Sequence, residues 1–166
     1  MAKHCAERPI DRELRQPTHG CLSHPATRTV LSLMRTADRI EHVFGGLLRE
    51  RDLTLSQYEV LRILRDSGRK LTVVELTGFM VHETPAMTGL IDRLEADGLV
   101  ERERSVEDRR MVYVKLCRKG KALVDRLDQP VADLHAEFVA GLSQKEQTAL
   151  EALLLKVRDA FLITTD

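Results

Sequence analysis

The chain has 166 residues, and its 26 lysines and arginines are balanced by 26 aspartates and glutamates. That length suits one domain, or one domain with an appended dimerisation element, and supports a core without disulfide staples. A net charge of zero excludes a uniformly basic nucleic-acid coat, an acidic tail protein and a polybasic membrane binder, yet it allows a basic patch offset by acidic surface elsewhere.

Residues 1–26 stand apart from the rest. They hold Pro9, Pro17 and Pro25, three histidines (His4, His19, His24) and the cysteines Cys5 and Cys21, without apolar periodicity. This reads as a flexible N-terminal extension. No apolar run is long enough for a membrane span, and the first residues lack the apolar core of a signal peptide, so a cytoplasmic protein is expected.

From Thr27 to about Arg51, apolar residues recur every three or four positions: Val30, Leu33, Met34, Ala37, Ile40, Phe44, Leu47 and Leu48. The period is that of an amphipathic helix. After a break at Asp52–Leu55, Ser56-x-x-Glu59 reads as a capping box that opens a second helix ending near Ser67-Gly68. Thr72-x-x-Glu75 reads as another, starting a short helix through Leu76, Phe79 and Met80. A turn at Val81-His82-Glu83 leads to Thr84-Pro85, a cap residue before a proline at the first helical position. The helix that follows points Met87, Leu90, Ile91 and Leu94 inward and stops at Asp97-Gly98.

Leu99–Arg104 and Met111–Leu116 read as the strands of a hairpin, joined by the polar loop 105–110. A long helix begins near Arg118, and Pro130 should kink or divide it. Ser143-x-x-Glu146 caps a last helix with Leu150, Leu153, Leu154, Val157 and Phe161 on one face.

A short helix, a tight turn, a second helix and a charged hairpin make a winged helix-turn-helix pattern. In that arrangement the second helix lies in the DNA major groove, and the hairpin brings cations to phosphates or the minor groove. Between Leu99 and Lys121 there are eight basic residues against four acidic ones. The fold class is therefore mainly α with a small β-hairpin wing: a winged head over 52–117, flanked by a helix at 27–51 and helices over 118–166.

Several motifs within this pattern resemble the MarR family of bacterial transcriptional regulators. They are Leu71-Thr-Val-Val-Glu-Leu, Met87-Thr-Gly-Leu-Ile-Asp-Arg-Leu-Glu-Ala-Asp-Gly-Leu-Val-Glu-Arg, Glu107-Asp-Arg-Arg and Leu116-x-x-x-Gly120. The resemblance spans roughly residues 27 to 161. It implies a homodimer paired through its N- and C-terminal helices, with two heads on a palindromic double-stranded operator about 34–36 Å apart. It also implies repression released by a small effector of aromatic, phenolic or acyl-thioester type, with no cofactor.

Thr84, Ala86, Thr88 and Gly89 occupy the recognition-helix face opposite Leu90, Ile91 and Leu94, and Thr88 is the first candidate for base or phosphate contact. Gly89 departs from the longer polar residue that many family members carry there, and it permits close backbone approach. Arg93 is a candidate for a phosphate or an acidic neighbour. Asp108 and Arg110 match the family's wing motif, which assigns Asp108 to orientation and Arg109 and Arg110 to contact or bracing. Arg35, Arg39, His42 and Tyr58 lie near the junction where such effectors bind and are the effector candidates.

An alternative is a redox- or metal-responsive regulator that uses the cysteines and histidines of residues 1–26. The irregular spacing of His4-Cys5 and His19-x-Cys21-x-x-His24 marks no defined metal set. Cys117 reads as a small packed residue. A winged module that has lost operator binding is a further reading, supported by the neutral total and Gly89. Catalysis finds no support: there is no nucleotide-binding glycine loop, HExxH or serine-nucleophile elbow.

Overall fold

Local capping decides where the helices opening at Leu55, Val73 and Gln144 begin. The computed structural model describes residues 8–15, 20–82, 86–105 and 111–162. Helix α1 (Pro9–Arg15) and a short 3-10 turn (Gly20–Ser23) precede α2 (Pro25–Arg49), which starts with its proline in the first turn. The described part of residues 1–26 is thus partly helical. What organises it is long-range pairing: Asp11 accepts from Arg35 Nε and Nη2 at 2.6 and 3.0 Å, and Arg28 donates to the carbonyls of Leu22 and Ser23.

Helix α3 (Leu55–Ser67) begins one residue before the expected Ser56. Thr54 is its cap, accepting from Gln57 N–H at 3.2 Å while the Gln57 side chain accepts from Thr54 N–H at 2.9 Å. The reciprocal box belongs to Thr54 and Gln57, so Glu59 is released for another role. Gly68 closes the helix with φ 63, and Gly98 closes α5 with φ 68, both left-handed conformations that favour glycine.

Strand β1 (Leu71–Thr72) runs into α4 (Val73–Phe79), where the Thr72–Glu75 capping box forms as read. Leu76 is buried, but Phe79 is 59% exposed and does not serve the core. Helix α5 (Met87–Ala96) takes Ala86 as its cap and so starts later than the Thr84-Pro85 signal, which lies outside the described residues.

Strands β2 (Val100–Arg104) and β3 (Val112–Leu116) pair antiparallel, with Val100 opposite Leu116 and Arg104 opposite Val112. β1 adds to the other side of β3, giving the order β1-β3-β2. This third strand has two residues, too few to show a period. The core of the head is Val60, Leu61, Leu71, Leu76, Ile91, Leu94, Val100, Val114 and Val124, all almost fully buried.

Helix α6 (Arg118–Asp125) enters this core through Gly120. A Cβ there would lie 2.2 Å from the Leu99 carbonyl oxygen and 2.9 Å from a Leu116 methyl, so only glycine allows the approach. The long C-terminal helix is divided at Arg126–Leu127, and Pro130 falls in the first turn of α7 (Asp128–Val139), where a missing N–H costs nothing.

The chain divides into two compact units after Asp128. In the second, Ser143 and Glu146 form the predicted capping box at the start of α8 (Gln144–Leu162). Leu150, Leu153, Leu155 and Val157 of α8 are exposed, as are Val30, Leu33, Met34 and Ile40 of α2 in the first unit. Among the described residues, no helix is long and apolar enough to cross a membrane.

Candidate nucleic-acid interface

Helix α5 has an inner and an outer face. Met87, Ile91 and Leu94 are buried against the head, and Leu90 is half-buried. Ala86, Thr88 and Arg93 are exposed and Gly89 is half-buried, as a helix that presents one face to a ligand requires. Nothing lies within 4 Å of where a Gly89 Cβ would stand, so the fold does not need glycine there.

The outer face is held in register with the wing by Arg102 of β2. Its guanidinium donates to Glu95 Oε2 at 2.6 Å and to the Thr88 carbonyl at 3.2 Å, and it pairs with Asp92 Oδ1 at 2.6 Å. The Arg102 backbone N–H also donates to Glu95 Oε1 at 2.9 Å. That N–H, and then the guanidinium, lower the Glu95 pKa below the usual carboxylate value. Counting charge along the sequence treated Arg102 as one more cation of the wing. In the fold it is a clamp between wing and helix, with its charge spent on Asp92 and Glu95.

The same accounting applies along the hairpin. Lys115 pairs with Glu101 at 2.9 Å, and Lys70 reaches Glu103 at 2.7 Å while lying over the Tyr113 ring. Lys121 pairs with Asp125, and Lys119 donates to the Asp97 carbonyl. Arg93 of α5 and Arg104 at the end of β2 have no acidic partner among the described residues. Arg93 was a sequence candidate. Arg104 was counted in the wing but not singled out, because its lack of a partner follows from pairings elsewhere. Thr84 and the wing tip, Asp108, Arg109 and Arg110, lie outside the described residues.

A charged cluster anchors the turn that precedes α5. His82 lies 3.1 Å from Glu59 Oε1 through Nδ1 and 3.3 Å from Glu41 Oε1 through Nε2, so it links α3 and α2. Glu59 is 5% exposed, and its second oxygen, Oε2, is buried without a hydrogen-bond partner. Burial pulls the His82 pKa down, but hydrogen bonds and charge from Glu59 and Glu41 outweigh it and leave the pKa raised. By sequence Glu59 reads as a capping residue, and only its inward turn in the fold produces this pairing.

The effector candidates differ in their surroundings. Arg35 is committed to Asp11 and Asp38, which raises its pKa through the hydrogen bonds to Asp11 first. Arg39 and His42 are exposed on α2. Tyr58 is buried on α3, edge-on to Phe44 with centroids 5.5 Å apart, and burial raises its pKa. Cys117 is half-buried, and burial raises its thiol pKa, the opposite of a reactive thiolate. Cys5 lies outside the described residues and so does the side chain of Cys21. Among the described residues, no group of three metal-ligating side chains converges.

The model of the MarR family matches residues 53–112, from the start of α3 to β3. The multiple antibiotic resistance protein MarR of Salmonella typhimurium is 34% identical over 134 residues, covering 80% of this chain and 90% of that protein. A solved mutant of MarR from E. coli, complexed with operator DNA, superposes with a TM-score of 0.69 at 33% identity over 75% of this chain and 89% of that one. BpsR of Bordetella bronchiseptica, a protein whose DNA binding is regulated by 6-hydroxynicotinic acid, gives a TM-score of 0.71 at 28% identity over 79% of this chain and 98% of that one.

Proposed function

This chain belongs to the MarR family of transcriptional regulators, and from that premise we propose that it is a homodimeric repressor of a palindromic operator, released by a small effector. The observation that carries the reading is the Arg102 clamp, which fixes the outer face of α5 to the wing strands, while Arg93 and Arg104 have no acidic partner among the described residues. A head that fixes a helix for the major groove and carries, on that helix and on the wing, cations without acidic partners among the described residues suits phosphate positioning with base readout.

In this proposal Thr88 is the first base or phosphate contact, with Thr84 and Ala86 at the start of the helix and Gly89 offering close backbone approach. Asp108 orients the wing tip, and Arg109 and Arg110 reach the minor groove or brace it. Residues 27–51 and 118–166 supply dimerisation, and 52–117 supply the head. Dimerisation is supported by the exposed apolar side chains of α2 and, separately, of α8, since monomers rarely leave such stripes in water. BpsR supports regulation by a small aromatic acid, for which Arg39 and His42 remain the exposed candidates on α2.

The test is fluorescence anisotropy with duplexes that tile the DNA upstream of this gene, at several salt concentrations. Tight binding to one palindrome, with affinity falling steeply with salt, is expected. The double variant Arg109→Gln, Arg110→Gln should lose at least about tenfold in affinity, since each phosphate or groove contact carries on the order of 1 kcal/mol. Unchanged affinity in that variant removes the wing from the proposal. Effector class follows from a thermal-shift screen of aromatic acids, phenols and acyl thioesters, scored by release of DNA.

A further inference from the structure

The winged head contains a cavity of about 550 Å³, well away from the effector candidates of α2 along the chain. Its apolar lining is Leu64 from the end of α3, with Leu116 and Cys117 from the exit of β3. Six cations also line it, Arg65, Arg69, Lys70, Lys115, Arg118 and Lys121, with Glu103 the one carboxylate among the lining residues. The volume falls inside the ~300–1,000 Å³ range of small-molecule sites.

Five of the six cations already have carboxylate partners. Arg65 pairs with Asp66 and Asp128, Arg69 with Glu75, Lys70 with Glu103, Lys115 with Glu101, and Lys121 with Asp125. Arg118 has no acidic partner among the described residues and is exposed at the first position of α6. Its helix is oddly built there. Cys117 caps it without a side-chain hydrogen bond, and the first turn carries no acid. A cation at the positive end of a helix, without an acid to offset it, is locally unfavourable, and an anion relieves it.

We propose that this cavity is a binding site for a small organic carboxylate with an apolar body. The carboxylate sits against Arg118 at the mouth, where exposed and therefore weak pairs such as Lys121–Asp125 yield a second donor at little cost. The apolar body covers Leu64, Leu116 and Cys117. The apolar lining favours an organic body over a bare inorganic anion, and the cations favour an acid over a neutral hydrocarbon. The site draws on α3, both wing strands and α6, so its occupant ties the base of the wing to the head.

Cys117 reports occupancy without knowledge of the natural ligand. The full-length protein is alkylated with iodoacetamide, and the Cys117 peptide is followed by mass spectrometry in the presence of naphthoate or of the neutral naphthalenemethanol. Naphthoate should slow alkylation of Cys117 at least about fivefold at saturation, and the alcohol should bind about tenfold more weakly, as loss of a charge-assisted hydrogen bond implies. Arg118→Gln, an exposed change that the fold tolerates, should weaken protection about tenfold, and Lys121→Gln should weaken it less. Arg35→Gln should leave protection unchanged. Equal protection in wild type and Arg118→Gln, equal binding of the alcohol, loss of protection in Arg35→Gln, or no slowing by naphthoate would each overturn the proposal.

Discussion

Replacing His82 with alanine strips the one observed partner from a buried carboxylate. Glu59 is 5% exposed and accepts from His82 at 3.1 Å, and its other oxygen has no hydrogen-bond partner to fall back on. A hydrogen bond to a charged group contributes about 1.5–3 kcal/mol, and stranding a buried ion adds to the loss. Solvent screening reduces both, because the His82 side chain is 35% exposed. The net expectation is a loss of about 2 kcal/mol, or a fall in Tm of roughly 4–8 °C for a chain of this size.

The sign of the pH dependence follows from the shift. The His82 pKa is raised above its ordinary 6.5, so its contribution is fully present below that value and is lost as pH rises through the folded-state value. Urea unfolding at fixed protein concentration, at pH 6 and at pH 8.5, would compare wild type, His82→Ala, Glu59→Gln and the double variant. A coupling of about 1–2 kcal/mol is expected at the lower pH and less at the higher. If the two single losses add to within about 0.5 kcal/mol at the lower pH, the pairing carries no energy and the reasoning is refuted.

Arg102→Gln should weaken operator binding more than it lowers Tm, since it releases α5 from the wing while leaving the core intact; anisotropy beside a melting curve separates the two effects. Gly89→Ala should raise stability by about 0.5–1 kcal/mol in denaturant, because the helix gains propensity and the added methyl meets no neighbour. A simultaneous loss of DNA affinity would show that the backbone approaches its target there. Gly120→Ala should cost at least about 2 kcal/mol by urea unfolding, since its Cβ would collide with the Leu99 carbonyl. Glu75 has its pKa lowered to about 2 by the Thr72 backbone N–H, then by Arg69 and the Thr72 hydroxyl. Its contribution therefore holds above the ordinary value of 4.5 and fades as pH falls toward 2, so acid titrations of wild type and Glu75→Gln followed by circular dichroism should converge at the acid end.

Features that depend on neighbours in sequence were legible before folding. The boxes at Thr72–Glu75 and Ser143–Glu146, the stops at Gly68 and Gly98, and the two wing strands all rest on contacts within a few residues, or on short runs of β-forming residues. Where two caps competed, the sequence misled: Ser56–Glu59 and Thr54–Gln57 both fit the pattern, and in the fold Glu59 is buried against His82 instead. Helical spacing alone does not separate Leu76, which is buried, from Phe79, which is exposed. The two-residue β1 and the helix α1 had no local signal at all. One exists through pairing with β3, and the other is tied to α2 through Asp11 and Arg35.

Charge separates the two levels most clearly. A neutral total with an excess of cations around the wing could be read along the chain, and so could the family motifs over that segment. Which cations stay available was decided by the tertiary structure alone. Arg102 is consumed by Asp92 and Glu95, Lys115 by Glu101 and Lys70 by Glu103, while Arg93, Arg104 and Arg118 keep no acidic partner among the described residues. Pairing acts over a few ångströms between residues up to dozens of positions apart, so a sum along the chain sets the total charge and the fold sets where it can be felt.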